Sequence, residues 1–316
     1  MERLLSDAFK GDLLTGHLNP LLRRILDDNT LMLAIREGYI NVYYRGGNIL
    51  RLTETKTKHE YEAFFDENYV PDESFQLPNS PSSISSETDM RKWLDSFPAR
   101  KQIMDCWLTT VVQKTEKEFQ QIVVRENNYS QISNATEYFI ADIELSDSER
   151  GARYDLLAFK WTSKERRADN VRLALIEMKY GENALKGDSG IIAHLKQFDK
   201  LLRDPVTCEK LCNMAAEQIN QLNDLGLILH TKSAGRNFTV KKDRFEVIFL
   251  FANHNPRSKI LLSALESTEF SSFAAKMSEY CDIRFFIASS AGYGMHGACM
   301  LGLDEYIKLL KNMHQR

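Results

Sequence analysis

The sequence predicts an α/β protein with a mixed central β-sheet flanked by helices, preceded by an N-terminal region of helices and a β-hairpin. Three apolar strand patterns follow one another closely, at residues 138–145, 153–161 and 171–180, and short polar turns join them. Short connections favour antiparallel neighbours. Two further strand patterns, at 245–251 and 283–287, alternate with helical patterns, which is typical of parallel strands joined by helices.

Residues 1–75 are predicted to form an accessory region. Apolar residues recur at helical spacing through residues 13–26 and again through 31–35, which predicts a helix in each segment. Strand patterns at 39–44 and 48–52 then flank Arg45, Gly46 and Gly47. A Gly-Gly pair supplies the positive φ angles of a tight hairpin turn, so this segment predicts a β-hairpin.

The remainder of the chain divides into a linker and a larger domain. Residues 76–89 are rich in Ser and Pro and predict a linker or a long surface loop. Residues 90–316 predict one domain, which begins with a long helical stripe over 90–127. After the three strands, helices are expected at 190–202, 208–225 and 258–280, between and after the remaining strand patterns.

Composition excludes several classes of protein. The chain has 316 residues, of which 43% are hydrophobic and 27% charged, with a formal net charge of -3. This net charge argues against coating nucleic acid by bulk charge, although a local basic cleft is compatible with it. The five cysteines are odd in number and scattered, which favours reduced, buried thiols. Without an apolar run of about 18 residues or an export signal, a cytoplasmic location without membrane contact is expected.

Two charged residues at the end of an apolar strand are the most informative feature. Glu177 and Lys179 are two positions apart on the predicted strand 171–180, so both point to one face. Asp155 lies on the preceding strand and comes beside Glu177 if the two strands pair. Carboxylates are hard ligands for Mg²⁺ or Mn²⁺, and an ammonium positions a nucleophilic water and offsets charge on a phosphate. The alternative is a surface ion pair at a sheet edge.

This pattern, Asp155 followed by Glu177-Met178-Lys179 on consecutive strands, resembles the PD-(D/E)XK nuclease superfamily. The resemblance covers roughly residues 116–287 and implies a restriction-endonuclease-like core. It implies that Asp155 and Glu177 bind divalent metal, Mg²⁺ or Mn²⁺, and that Lys179 assists the attacking water. Tyr154 stands where the proline of the family name would be.

The resemblance extends to two neighbouring helices. It implies a further acidic metal ligand on the first core helix, where Glu116, Glu118 and Glu126 are candidates and Glu118 is taken into the predicted metal set. Branches related to the RecB nuclease carry a glutamine on the helix after the lysine strand. Gln197 occupies a comparable place and is added to the predicted catalytic residues. For His194 on the same helix a structural role is favoured, and a position in the cleft is the alternative.

Basic side chains in the turn between the two motif strands are candidates for nucleic-acid contact. Lys164, Arg166 and Arg167 could bind backbone phosphates without reading sequence, and an ordinary charged turn is the alternative. The motif Gly292-Tyr293-Gly294 with Gly297 lacks a following strand with a ribose-binding acid, so no dinucleotide cofactor is expected.

Together these residues predict a Mg²⁺-dependent nuclease that hydrolyses phosphodiester bonds, with DNA favoured over RNA as the substrate. The alternative is a catalytically silent protein of the same fold that binds nucleic acid or serves assembly in a bacterial defence or repair system. The expected partner is nucleic acid, and a protein partner or a homo-oligomer stays open.

Overall fold

The computed structural model describes residues 3–71, 75–110, 115–147, 152–163, 166–185, 187, 190–229, 237–255 and 257–315. The chain forms two compact units. The first unit comprises Met1–Arg125 and Glu217–Gly235, and the second comprises Glu126–Ala216 and Arg236–Arg316. The predicted domain boundary near residue 89 therefore falls inside the first unit, and the division in the structure comes after Arg125.

The first unit contains a five-stranded antiparallel sheet whose strands follow chain order. Its strands are β1 (Leu31–Ile35), β2 (Tyr39–Tyr44), β3 (Gly47–Glu54), β4 (Tyr61–Phe64) and β5 (Ser83–Ile84). The predicted hairpin is β2–β3. Its two turn residues are Arg45 and Gly46, with φ angles of 48° and 78°, the pair of positive values that a type I′ turn requires.

Five helices accompany this sheet along the chain. They are α1 (Asp7–Leu14), α2 (Asn19–Asp27), α3 (Glu87–Asp95), α4 (Phe97–Thr110) and α5 (Thr115–Val124). The helix predicted over residues 31–35 is wrong, because this segment is the strand β1. Leu31, Leu33 and Ile35 alternate with Met32 and Ala34, and all five are buried, so burial on both faces hid the period of two.

The Ser/Pro-rich segment 76–89 is not only a linker, since part of it belongs to the first unit's sheet. Ile84 in β5 is fully buried and pairs with Tyr61 of β4. Trp93 of α3 donates a hydrogen bond from Nε1 to the Pro81 carbonyl oxygen at 2.6 Å. One buried isoleucine and one indole contact thus order a stretch whose composition predicts a loop.

The second unit contains the predicted mixed sheet, with five strands in the order β10-β9-β8-β7-β6. Strands β6, β7 and β8 are antiparallel neighbours, whereas β8, β9 and β10 are parallel. The long apolar runs of β8 and β9 reflect burial on both faces. The strands are β6 (Tyr138–Asp147), β7 (Ala152–Lys160), β8 (Val171–Tyr180), β9 (Val240–Ala252) and β10 (Cys281–Ile287).

Helices of the second unit connect and cover these strands. They are α6 (Ile191–Leu202), α7 (Pro205–Asp224), α8 (Lys259–Leu265), α9 (Thr268–Met277), α10 (Ala288–Ala291) and α11 (Leu303–His314), with α7 passing into the first unit at Glu217. Helices α6 and α9 pack on β9 through Phe198 and Phe270, whose rings lie 6.2 and 6.4 Å from the Phe249 ring. The single helix predicted over 258–280 is two helices, because Ser267 caps the start of α9.

All five cysteines are free thiols, as predicted. Burial raises the pKa of Cys208 to about 11 and the pKa values of Cys212 and Cys281 to about 12. Cys106 and Cys299 are half-buried. Within the described ranges, none of the helices combines the length and the apolar character that crossing a membrane requires.

Candidate active site

The candidate site lies where the antiparallel strands β7 and β8 separate. Their pairing runs as far as Leu156 opposite Ile176, and the next residues along each strand are Asp155 and Glu177. Asp155 Oδ2 accepts a hydrogen bond from the Met178 backbone N–H at 2.8 Å. This side chain therefore replaces a backbone acceptor at the open end of the ladder, which confirms the predicted proximity of the Asp155 and Glu177 positions.

Glu177 and Lys179 form a buried ion pair on one face of β8. Lys179 Nζ donates to Glu177 Oε1 at 2.6 Å, and each residue is 3% exposed. The predicted alternative of a surface ion pair is thus wrong, because neither partner is at the surface. Removing two charges from water is unfavourable, so a strand retains such a pair only where geometry and further hydrogen bonds offset the desolvation.

A third polar side chain, His194 of α6, also lies beside Glu177. Its Nε2 atom lies 3.0 Å from Glu177 Oε1. Burial, with a contribution from the positive charge of Lys179, lowers the pKa of His194 to about 4, so the imidazole is neutral. His194 therefore contacts a predicted site residue, which agrees with the less favoured interpretation of this histidine.

The helix α6 also carries Gln197, the predicted fourth catalytic residue. Gln197 follows His194 by three positions and therefore lies on the same helix face. Its side chain is half-buried. The apolar positions Ile191, Leu195 and Phe198 belong to the buried face of α6, and of the two polar residues His194 has a contact with the sheet, through Glu177. The sequence signal for His194 and Gln197 is that these two polar residues border the apolar positions of α6.

Two carboxylates, one ammonium and one neutral imidazole make up the polar part of the site. No protein-family model, no curated protein and no solved structure matches the chain. The chemistry is therefore inferred from the donor atoms. The carboxylates of Asp155 and Glu177 are hard oxygen ligands, suited to Mg²⁺ or Mn²⁺.

A bound Mg²⁺ commonly takes one or two protein carboxylates and leaves its other positions to water and substrate phosphate. Asp155 and Glu177 fit this requirement by their chemistry. In the part of the chain that the structure describes, no group of three or more His, Cys, Asp or Glu side chains is arranged to hold a metal ion. Among the described residues, Asp155 and Glu177 are thus the candidate ligands, and a cage made by protein side chains alone is not present.

Glu118, predicted as a further metal ligand, lies on α5 in the first unit. Its Oε1 accepts a hydrogen bond from Arg45 Nε at 2.7 Å, and Arg45 Nη1 also donates to Asp105 Oδ1 at 2.8 Å. Gly46, the residue after Arg45, donates its N–H to Gln121 Oε1 at 2.8 Å. Glu118 thus holds the tip of the β2–β3 hairpin, and we leave it out of the proposed site.

The other two acidic candidates fall on either side of the boundary between the units. Glu116 is in the first turn of α5, and Glu126 is in the single π-helical turn Arg125–Tyr129. Glu126 begins the second unit. The helical phase left the choice among the three acids open. The structure does not favour Glu118 as the metal ligand, because its carboxylate is bound by Arg45.

The predicted phosphate-binding residues separate into different environments. Lys164 lies outside the described residues. Arg166 donates from Nη2 to the carbonyl oxygens of Asn134 and Thr136 at 2.8 and 2.9 Å, and burial lowers its pKa. Its role is therefore to hold the fold. Arg167 has a 73% exposed side chain and pairs with Asp169 at 2.7 Å, so it is the exposed cation of this predicted set.

Proposed function

We propose that the protein is a Mg²⁺- or Mn²⁺-dependent phosphodiesterase of the PD-(D/E)XK type that cuts nucleic acid, DNA in preference to RNA. The observation that carries the proposal is the convergence of Asp155, Glu177 and Lys179 at the separating ends of two strands. The order of elements in the second unit, a three-strand meander followed by helix, strand, helix and strand, supports a restriction-endonuclease-like core. The site geometry is the basis of the proposal.

In this proposal the side chains divide the work of phosphodiester hydrolysis. Asp155 and Glu177 hold the metal ion, which when bound polarises the scissile phosphate and lowers the pKa of water. Asp155 is held in place by the Met178 N–H and Glu177 by His194. Rigid carboxylates matter because misplacement by even about 1 Å lowers the rate steeply.

Lys179 has two tasks in the same scheme. Its ammonium offsets the negative charge of Glu177 in a buried place. It also donates a hydrogen bond to the attacking water, whose oxygen forms a bond to phosphorus while the bond from phosphorus to the leaving oxygen breaks. The water loses one proton to solvent, and the leaving oxygen takes one proton from solvent. Such a fixed donor stabilises the negative charge that develops on the phosphate.

A protein of the same fold that binds nucleic acid or serves assembly without cutting is the second candidate. Two observations favour it: the carboxylate of Glu118 accepts a hydrogen bond from Arg45, and the described residues contain no group of three or more possible metal ligands. A site with two carboxylates has fewer means to keep a metal ion in position. Metal binding and cleavage therefore have to be measured separately.

The test combines cleavage assays and calorimetry on the full chain. Labelled linear, circular and single-stranded DNA and RNA are incubated with Mg²⁺, Mn²⁺ or EDTA. The proteins are the wild type, Asp155→Asn and the matched control Asp169→Asn, in which an exposed aspartate of the same unit changes. We expect metal-dependent cutting that Asp155→Asn abolishes and Asp169→Asn retains.

Three outcomes would contradict the proposal in different ways. Cutting that persists in Asp155→Asn would remove the assignment of the site. Absence of cutting, together with calorimetry showing no Mn²⁺ binding that depends on Asp155, would favour the non-cleaving candidate. Mn²⁺ binding without cutting would keep the metal site and contradict the catalytic role.

A further inference from the structure

Beyond the carboxylates, a second pair of polar side chains lies at the edge of the second unit's sheet where β8 and β9 end. The two parallel strands stay paired as far as Tyr180 opposite Ala252, and the Gly181 N–H then donates to the Ala252 carbonyl oxygen at 3.2 Å. Each strand ends at a residue with a positive φ angle, which is 71° at Gly181 after β8 and 51° at Asn253 after β9. The carboxyl edge of parallel strands is where α/β proteins commonly bind ligands.

The residues that follow these two turns are Glu182 and His254. His254 is 6% exposed, and its ring packs 5.5 Å from the Phe251 ring. Neither ring nitrogen of His254 has a hydrogen-bond partner among the residues that the structure describes, and the same holds for the buried Oε1 atom of Glu182. Buried polar atoms are nearly always paired, so three unpaired atoms at one edge require an explanation.

The charge of Glu182 and the protonation of His254 determine which chemical groups this pair can bind. Burial lowers the pKa of His254, and the nearby carboxylate of Glu182 opposes that effect. A neutral imidazole offers one donor and one acceptor, whereas a carboxylate only accepts. A phosphate group offers acceptors only and carries the same charge sign as Glu182. The complementary group is therefore not an anion and has a hydrogen to donate.

The position of the pair connects it to the candidate active site. Phe251, against which the His254 ring packs, is the neighbour of Lys179 in the β8–β9 ladder. Adjacent strands lie about 4.8 Å apart. Glu182 follows Lys179 by three residues along the chain. A substrate with its phosphate at the carboxylate site therefore has its adjoining nucleoside within reach of this edge.

We propose that Glu182 and His254 form a subsite for an uncharged hydrogen-bonding group, a sugar hydroxyl or a base amino group, of the nucleotide next to the scissile phosphate. This inference rests on the proposed nuclease function. Glu182 accepts the hydrogen of that group, and His254 donates to its oxygen or to a neighbouring base nitrogen. A site built to bond such a group discriminates strongly against analogues that lack it.

The test uses variants that keep shape and change hydrogen-bonding capacity. His254→Phe preserves the ring that packs on Phe251 and removes both nitrogens, and Glu182→Gln removes the charge and replaces one acceptor oxygen with a donor amide at nearly constant size. Because the replaced nitrogens are unpaired within the described structure, we expect His254→Phe to melt no lower than the wild type. His314→Phe is the matched control, since its Nε2 is also buried without a partner among the described residues and lies near the end of α11.

Cleavage and binding are measured with oligonucleotides that differ by one group: 3′-hydroxyl against 3′-hydrogen, ribose against deoxyribose, and adenine against purine beside the cut. Binding by fluorescence anisotropy in EDTA provides a readout without catalysis. We expect the wild type to prefer the hydroxyl or amino member of one pair, and His254→Phe and Glu182→Gln to lose about tenfold of that preference. His314→Phe is expected to keep it.

The results separate this subsite from the proposed function. If the wild type cuts and the variants retain its preferences, or if the wild type has no preference in any pair, the subsite is overturned while the nuclease function stands. If the wild type neither cuts nor binds any of the oligonucleotides, the proposed function fails and the subsite fails with it. Should His254→Phe not fold, Glu182→Gln still decides between these results.

Discussion

Replacing Lys179 with Met tests the buried ion pair on which the site depends. The substitution keeps an unbranched side chain of similar length and removes only the ammonium, which lies 2.6 Å from Glu177 Oε1. The carboxylate of Glu177 then stays buried, with His194 Nε2 at 3.0 Å from its Oε1. Because neutral His194 carries no positive charge, it does not replace the charge of the ammonium.

The expected loss of stability follows from this geometry. At 2.6 Å, Coulomb's law with an effective dielectric constant of about 20 gives an attraction of about 6 kcal/mol. Desolvation of both charges opposes much of it, and removal of one partner from buried pairs costs about 3–5 kcal/mol. The double variant Glu177→Gln with Lys179→Met contains neither charge and is expected to recover part of this loss.

The free energy of unfolding is measured by urea denaturation, with hydrogen–deuterium exchange of β8 peptides to assign the transition to the second unit. In the same proteins, cleavage by Lys179→Met is expected to fall about 100-fold or more. A Lys179→Met protein as stable as the wild type would refute the buried-pair reasoning. A double variant no more stable than Lys179→Met would refute it as well.

Other perturbations give independent checks. Gly46→Ala is expected to destabilise the first unit by about 2–4 kcal/mol, because Gly46 has φ of 78° and an added Cβ would lie 2.7 Å from backbone atoms of α5; urea unfolding measures this. A thiol reagent at pH 8 should modify Cys106 and Cys299 first, since burial raises the pKa of the other three thiols; rapid labelling of all five would contradict it. In EDTA, the free energy of unfolding should fall as pH decreases from about 6.5 toward 4. Burial lowers the pKa values of His194 and His254, so these residues bind protons in the unfolded chain that they do not bind in the folded protein. His254→Phe should flatten this pH dependence.

The second unit was predictable from sequence because its pattern periods are unambiguous. Closely spaced strand patterns with polar turns predict an antiparallel meander, and the register that places Asp155 next to Glu177 follows once those strands pair. Alternation along β8 was sufficient to put Glu177 and Lys179 on one face. The burial of the pair was not predictable, because it depends on α6, whose side chain His194 reaches Glu177 from elsewhere in the chain.

The first unit was predicted less well for physical reasons. Residues 31–35 are buried on both faces, so a five-residue apolar run had no visible period of two. Pairing between Glu118 and Arg45 joins positions 73 residues apart in the chain, which no local pattern reveals. Arg166 likewise looks like an exposed turn residue in the sequence, and only the backbone carbonyl groups that it binds show its structural role.

The proposal that Asp155, Glu177 and Lys179 form a metal-dependent nuclease site is tested most directly by one comparison. The rate at which labelled DNA is cut in Mg²⁺ is measured under single-turnover conditions for the wild type and Asp155→Asn, after both are shown to have the same melting temperature. The site predicts cutting by the wild type that EDTA stops and that Asp155→Asn lacks. Equal rates in the two proteins, or cutting that EDTA does not affect, would contradict it.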